Sequence, residues 1–127
     1  MDHNKNISVY ELTELSRKLV KSFFISSDIY SLLGLSLVTV TMYSRKKKHL
    51  NTQTRIELAI ELIPDLLKSL EHDKIIDNNT VTALEYEYNS KREELHLILK
   101  AFIYASGGLR TKVDIFDKRS PHKCVIS

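Results

Sequence analysis

The feature that most constrains the fold is a run of residues near the end of the chain whose spacing alternates between four and three positions. The run consists of Leu84, Tyr88, Lys91, Leu95, Ile98, Phe102 and Ala105, and all but Lys91 are apolar. This spacing places side chains on one face of an α-helix and resembles a coiled-coil seam. With Asp77, Asn78 and Asn79 available as caps and Gly107–Gly108 as a stop, it predicts one helix over about residues 79–106, roughly 42 Å long.

Two helices are predicted in the first third of the chain. Ser8 and Glu11 form a capping box before a helix over about residues 9–24. Ser26-Ser27-Asp28 can supply the cap of the very apolar segment 29–43, whose β-branched stretch 38–41 also fits a strand. A membrane span is a further alternative, but fifteen residues make only about 22 Å of helix against a hydrocarbon core of roughly 30 Å. We therefore favour a buried central helix.

A third helix is predicted around Pro64. Thr54 and Glu57 form a second capping-box pattern, and the apolar stripe that follows keeps its phase through Leu70. Proline removes one main-chain hydrogen bond from a helix without ending the stripe, so this helix is expected to be kinked at Pro64.

The fold class expected is all-α, a small bundle of about four helices, of which the third is kinked at Pro64 and the fourth is long. Only three Gly and two Pro occur in 127 residues, which disfavours a turn-rich β architecture. Residues 1–108 are expected to form this single domain. Residues 109–127 lack a helical stripe, contain Pro121, and are expected to form a basic, flexible C-terminal tail.

Charge distribution limits the classes of partner that are expected, and cysteine content limits the cellular compartment. The net charge of +3 divides into +4 for residues 1–50, −4 for 51–106 and +3 for 107–127, which argues against nucleic acid as a partner. Cys124 is the only cysteine, so no intramolecular disulfide can form, and residues 1–4 do not resemble a secretory signal. An intracellular, cytoplasmic protein is expected.

No pattern predicts an enzyme, a cofactor or a small-molecule substrate. Glu93 and His96 have the spacing of one half of a di-iron site, but the second half is missing, and a surface pair is the better interpretation. The fourth helix is longer than its expected neighbours, so part of its seam should protrude. The primary hypothesis is therefore a non-enzymatic interaction or regulatory protein, adaptor-like or inhibitor-like, that binds a protein partner or itself through Leu95, Ile98, Leu99, Phe102 and Lys91.

Lys91 is the polar member of the seam. If that level of the seam is buried, Lys91 needs a carboxylate partner, and Glu57, Glu61 and Asp65 on the preceding helix are the nearest candidates. Its ammonium group can equally reach solvent past Tyr88.

The alternative hypothesis is a peripheral membrane protein. Cys124-Val125-Ile126-Ser127 fits the C-a-a-X pattern for farnesylation and resembles the end of farnesylated proteins over these four residues alone. The flanking basic residues, Lys118, Arg119 and Lys123, would have to assist one lipid chain in holding the protein at a membrane surface.

A further alternative concerns the basic cluster of Arg45, Lys46, Lys47 and Lys48. Such a cluster can contact an anionic partner such as nucleic acid, although it is more often a solvated helix end. It contains no aromatic residue that would stack on bases, and the segment that follows is acidic.

Overall fold

The computed structural model describes residues 7–105 and is helical, with no strand in that range. Its five helices are α1 (Val9–Phe23), α2 (Ile29–Lys46), α3 (Thr52–His72), α4 (Asn78–Ser90) and α5 (Arg92–Ala105). The all-α prediction is confirmed, with five helices where about four were expected. The predicted tail, residues 109–127 with Cys124, lies outside the described residues.

Side-chain caps begin the first four helices. The side chain of Ser8 accepts from the N–H of Glu11 at 3.1 Å, as the sequence predicts, and Asp28 and Asp77 cap α2 and α4 in the same way. The third helix begins earlier than its capping-box pattern predicts. The amide oxygen of Asn51, and not Thr54, is the cap, and it accepts from the N–H of Thr54 at 2.8 Å.

Helix α2 lies at the centre of the fold and packs against both α1 and α3. It is a buried helix, as expected, and not a strand: the residues from Leu35 to Ser44 are all buried, including three hydroxyl residues between Ser36 and Thr41. The hydroxyl of Ser36 donates to the carbonyl of Ala59 in α3 at 2.5 Å. Within the described residues, no helix combines the length and the apolar character that a bilayer crossing requires.

Helix α3 continues through Pro64, and the kink expected there remains a prediction. Proline has no N–H, so the carbonyl of Ile60, four residues earlier, lacks its usual partner in the helix. The hydroxyl of Tyr88 in α4 donates to this carbonyl at 3.0 Å, and both residues are buried. The hydrogen bond that α3 lacks at Pro64 is thus replaced by one that joins α3 to α4.

The end of α3 is a Schellman motif. Ile75 N–H donates to the carbonyl of Leu70 and Lys74 N–H to that of Glu71, both at 2.9 Å. Lys74 has a φ of 61°, in the left-handed region. The preceding residue, Asp73, accepts from the guanidinium of Arg17 at 2.8 Å and so joins the end of α3 to α1.

The prediction of one long helix over residues 79–106 is wrong, because the chain bends at Lys91 between α4 and α5. At the end of α4, the hydroxyl of Ser90 donates to the Tyr86 carbonyl at 2.8 Å. The bend keeps α5 packed on α3, where Leu95 and Leu99 are buried. Burial of these two side chains favours two shorter helices over one that protrudes.

Candidate interaction surface on helix α5

Helix α5 has one face in the core and a second apolar face in solvent. Leu95 and Leu99 are 0% and 2% exposed and belong to the main hydrophobic cluster, with Ile103 partly buried beside them. Leu95 and Leu99 were among the residues predicted to contact a partner. Their side chains are instead occupied by the protein's own core, since the bend at Lys91 turns them towards α3.

The outward apolar residues form a continuous area, which we call the α5 surface. The exposed fraction is 63% for Leu97, 36% for Ile98, 46% for Phe102 and 65% for Tyr104. Ala101 and Ala105 are exposed between them. At about 100° per residue, these six positions fill an arc of roughly 160° on one side of the helix. Ile98 and Phe102 thus retain their predicted place on an exposed surface.

One edge of the α5 surface is a stripe formed by Glu93, Leu97, Lys100 and Tyr104. Their spacings of four, three and four place them on one line along the helix. All four are exposed, and neither Glu93 nor Lys100 forms an ion pair with another residue in the range 7–105. Glu93 thus lies at the N-terminal end of this stripe, and Lys100 lies between Leu97 and Tyr104.

Leu97 and Tyr104 were missed as interaction residues in the sequence. They lie outside the four–three seam, and the residues expected to bind were members of the seam together with Leu99. Their signal is present in the sequence, because two large apolar residues seven positions apart lie on the same side of a helix and opposite Leu95. Without the position of α3, however, either face was equally able to enter the core.

The bend between α4 and α5 leaves an open concavity of about 660 Å³, which we call the α4–α5 notch. It is lined by residues 89–94 and by Leu97, so it adjoins the α5 surface. Its walls combine polar and apolar surface in similar proportion, and four charged residues, Lys91, Arg92, Glu93 and Glu94, follow one another in its lining. The two features face solvent side by side.

Lys91 has a different partner from those predicted. Its ammonium lies 3.3 Å from the carboxylate of Glu87, four residues earlier in α4, and 5.8 Å from the ring centre of Tyr30 in α2. The candidates Glu57, Glu61 and Asp65 do not pair with it. The hydrogen bond to Glu87 is the main reason that the pKa of Lys91 is raised. Because Lys91 lies at the bend and is partly exposed, it does not need a carboxylate from α3.

Arg92 and Tyr88 join the start of α5 to the end of α4. The guanidinium carbon of Arg92 lies 5.1 Å from the ring centre of Tyr88, within the range of a cation–π contact. Burial raises the pKa of the Tyr88 hydroxyl, so this group stays protonated and can donate to Ile60. These contacts hold the base of the α5 surface in place.

The basic cluster lies at the C-terminal end of α2. Arg45, Lys46 and Lys47 are exposed and Lys48 is half-buried. Arg45 and Lys46 lie in the last helical turn, where positive charge is favoured by the helix dipole. Contact between this cluster and an anionic partner remains a prediction.

Glu93 and His96 both lie on α5. Within residues 7–105, no three side chains of the metal-binding types are grouped so that they could hold an ion.

In comparisons with known proteins, the chain matches no family model, no curated protein and no solved structure.

Proposed function

We propose that this chain is a non-enzymatic protein-interaction module that binds a protein partner through the α5 surface. The observation that carries the proposal is the exposure of Leu97 and Tyr104, each nearly two-thirds exposed on a helix whose opposite side buries Leu95 and Leu99. Isolated exposed apolar residues are common on folded proteins. A continuous group of six on one helix is typical of an interaction site.

The composition of the α5 surface supports binding by a protein. Phe102 and Tyr104 are aromatic, and aromatic residues are enriched at the centres of protein interfaces. Charged residues occur at its edge, as in the polar rim of an interface. A helix that presents an apolar face suits a groove or a second helix in the partner.

Rigidity also supports this function. The base of α5 is held by the buried side chains of Leu95 and Leu99 and by the contact between Arg92 and Tyr88. A surface that is already in its binding conformation loses less conformational entropy when the partner binds. The α5 surface therefore has the fixed support that a specific interface requires.

Photocrosslinking in the cells that naturally produce the protein tests the proposal. A benzophenone amino acid replaces Tyr104 in one variant and Tyr86 in a matched control, because Tyr86 is a 73% exposed tyrosine on α4, outside the α5 surface. We expect the probe at position 104, but not that at position 86, to yield a discrete crosslinked species containing a second polypeptide. Mass spectrometry identifies the partner.

Two results would contradict the proposal. Equal crosslinking from both positions would mean that the α5 surface has no special affinity for proteins. Crosslinking from position 104 to residues of the same polypeptide alone would mean that the chain covers its own apolar surface.

A further inference from the structure

We infer that the α5 surface binds the same surface of a second copy of this chain, with the two α5 helices antiparallel and related by a two-fold axis level with residues 96–97. This inference rests on the proposed function and names its partner. It follows from the order of charged, apolar and aromatic residues along the stripe of Glu93, Leu97, Lys100 and Tyr104.

Charge complementarity is the first argument. In an antiparallel pair related by this axis, position 93 of one helix lies opposite position 100 of the other. Glu93 and Lys100 are on the same side of the stripe, so the glutamate of each copy meets the lysine of the other copy, which gives two such pairs in the dimer. Opposite charges at the edges of paired helices favour one orientation and alignment. A parallel pair would instead place each charge beside its own kind.

The apolar centre is the second argument. Leu97 lies within one residue of the axis, so the two copies of Leu97 contact each other between the two charge pairs. An interface that is closed by a two-fold axis uses the same patch twice and leaves no free binding surface. The exposed apolar side chain of Leu97 would be covered without any further partner.

Shape is the third argument. Seven residues beyond Leu97, Tyr104 of one copy extends past Arg92, the first residue of α5 in the other copy, to the bend where the α4–α5 notch opens. The notch has a volume of about 660 Å³, which has room for a tyrosine ring. A phenol combines an apolar ring with a polar hydroxyl, which suits the mixed wall of this notch. Each copy therefore contributes both the projecting ring and the concavity.

The size of the interface predicts a reversible dimer. Helix α5 has 14 residues, a length of about 21 Å, so its pairing gives an interface at the small end of the known range. Such interfaces are typical of transient association, and we expect a dissociation constant on the order of micromolar.

Sedimentation of the full chain measures this dissociation constant. Glu93→Lys alone and Lys100→Glu alone each replace two attractive pairs with two repulsive ones, and each should weaken the dimer about tenfold. The combined variant exchanges the charges, restores both pairs and should regain the original affinity. Tyr86→Lys, outside the surface, is the control and should leave the dissociation constant unchanged.

A cysteine crosslink tests the position of the axis. Cys124→Ser removes the only cysteine of the chain. In that background, Leu97→Cys should oxidise to a disulfide-linked dimer, because residues near the axis approach within the distance that a disulfide spans. Tyr86→Cys in the same background is the control and should not form the dimer at a comparable rate.

Three results would overturn the inference: a monomer at concentrations up to about 1 mM, no rescue in the combined charge variant, or equal crosslinking of the two cysteine variants. Failure of this inference can be distinguished from failure of the proposed function. If Tyr104 crosslinks to a different protein while the pure chain stays monomeric, the α5 surface is an interaction site whose partner is not a second copy.

Discussion

The hydroxyl of Tyr88 in α4 donates a hydrogen bond of 3.0 Å to the main-chain carbonyl of Ile60 in α3. The carbonyl is available because the residue four positions later is Pro64, which has no N–H to donate. One turn of α3 thus has its missing hydrogen bond replaced by a side chain from another helix. The neighbouring carbonyl, that of Ala59, accepts from Ser36 of α2. The centre of α3 is therefore joined to helices on both sides.

The relationship between Tyr88 and Pro64 predicts coupled mutations. Tyr88→Phe leaves the buried carbonyl of Ile60 without a partner and should lower the free energy of unfolding by about 1–2 kcal/mol. In a Pro64→Ala background, the N–H at position 64 can donate to that carbonyl, so Tyr88→Phe should cost about 1 kcal/mol less. Urea unfolding of the four proteins in this cycle measures the coupling. Equal costs in both backgrounds would contradict this explanation.

Replacement of Lys74 by glycine should stabilise the protein. Lys74 has a φ of 61°, a conformation that costs a residue with a side chain about 1 kcal/mol and glycine very little. We expect Lys74→Gly to raise the free energy of unfolding by about 0.5–1 kcal/mol. Lys68→Gly is the matched control, because Lys68 is exposed inside α3, and there glycine should be destabilising by a similar amount. Thermal unfolding that shifts in the same direction for both variants would refute the prediction.

Gly34 offers a second stabilising change. It lies inside α2, and a Cβ added there would have no neighbour within 4 Å. Alanine loses less main-chain entropy than glycine when a helix forms, so Gly34→Ala should raise the free energy of unfolding by about 0.5–1 kcal/mol. Calorimetry of this variant measures the gain. A lower unfolding temperature for the variant would contradict the prediction, because it would mean that the added methyl group at position 34 meets neighbouring atoms.

Asp28 should make the stability of α2 depend on pH. A hydrogen bond from the Ser26 hydroxyl is the largest reason that the pKa of Asp28 is lowered from 3.8, followed by the N–H of Ser31. The unfolded chain therefore binds this proton more readily. The stabilisation is present above the unfolded pKa and is lost as the pH falls through the lower, folded pKa.

Asp28→Asn should keep the cap at neutral pH and lose this part of the acid dependence, because an amide does not titrate in this range. Asp28→Ala should cost about 1 kcal/mol at pH 7, since no side chain then accepts from the start of α2. Urea midpoints measured from pH 7 down to about pH 3 compare the three proteins. Parallel curves for the aspartate and asparagine proteins would show that the carboxylate contributes nothing beyond the cap.

The two faces of α5 should respond differently to truncation. Leu95 is 0% exposed, so Leu95→Ala should cost about 2–5 kcal/mol. Ile98 is 36% exposed, and Ile98→Ala should cost less than about 1 kcal/mol when it is measured in dilute monomer. Urea unfolding of the two variants distinguishes the core from the α5 surface. Similar losses would mean that the seam predicted from the sequence, and not the bend, decides which residues are buried.

The sequence alone predicted the helical fold seen in residues 7–105, and it located the first two helices closely. These features depend on neighbours in the chain: Ser8 and Asp28 cap the amide groups two or three residues ahead, and apolar residues at helical spacing form a stripe wherever the helix lies. The loss of a hydrogen bond at Ile60 also followed from Pro64 alone. That Tyr88 would supply the replacement did not follow, because the two residues belong to different helices.

Only the tertiary structure decided where α4 ends and which face of α5 is exposed. In the sequence, the stripe through Lys91 predicts one straight helix, and Leu95 and Ile98 are equivalent members of its seam. Their difference depends on the position of α3, because α5 bends to stay in contact with it and buries Leu95 and Leu99. The same bend leaves Leu97 and Tyr104 in solvent. Local sequence patterns specify where helices form. Which side of a helix is buried depends on contacts with segments that are distant in the sequence. These contacts therefore decide which residues remain exposed and able to bind a partner.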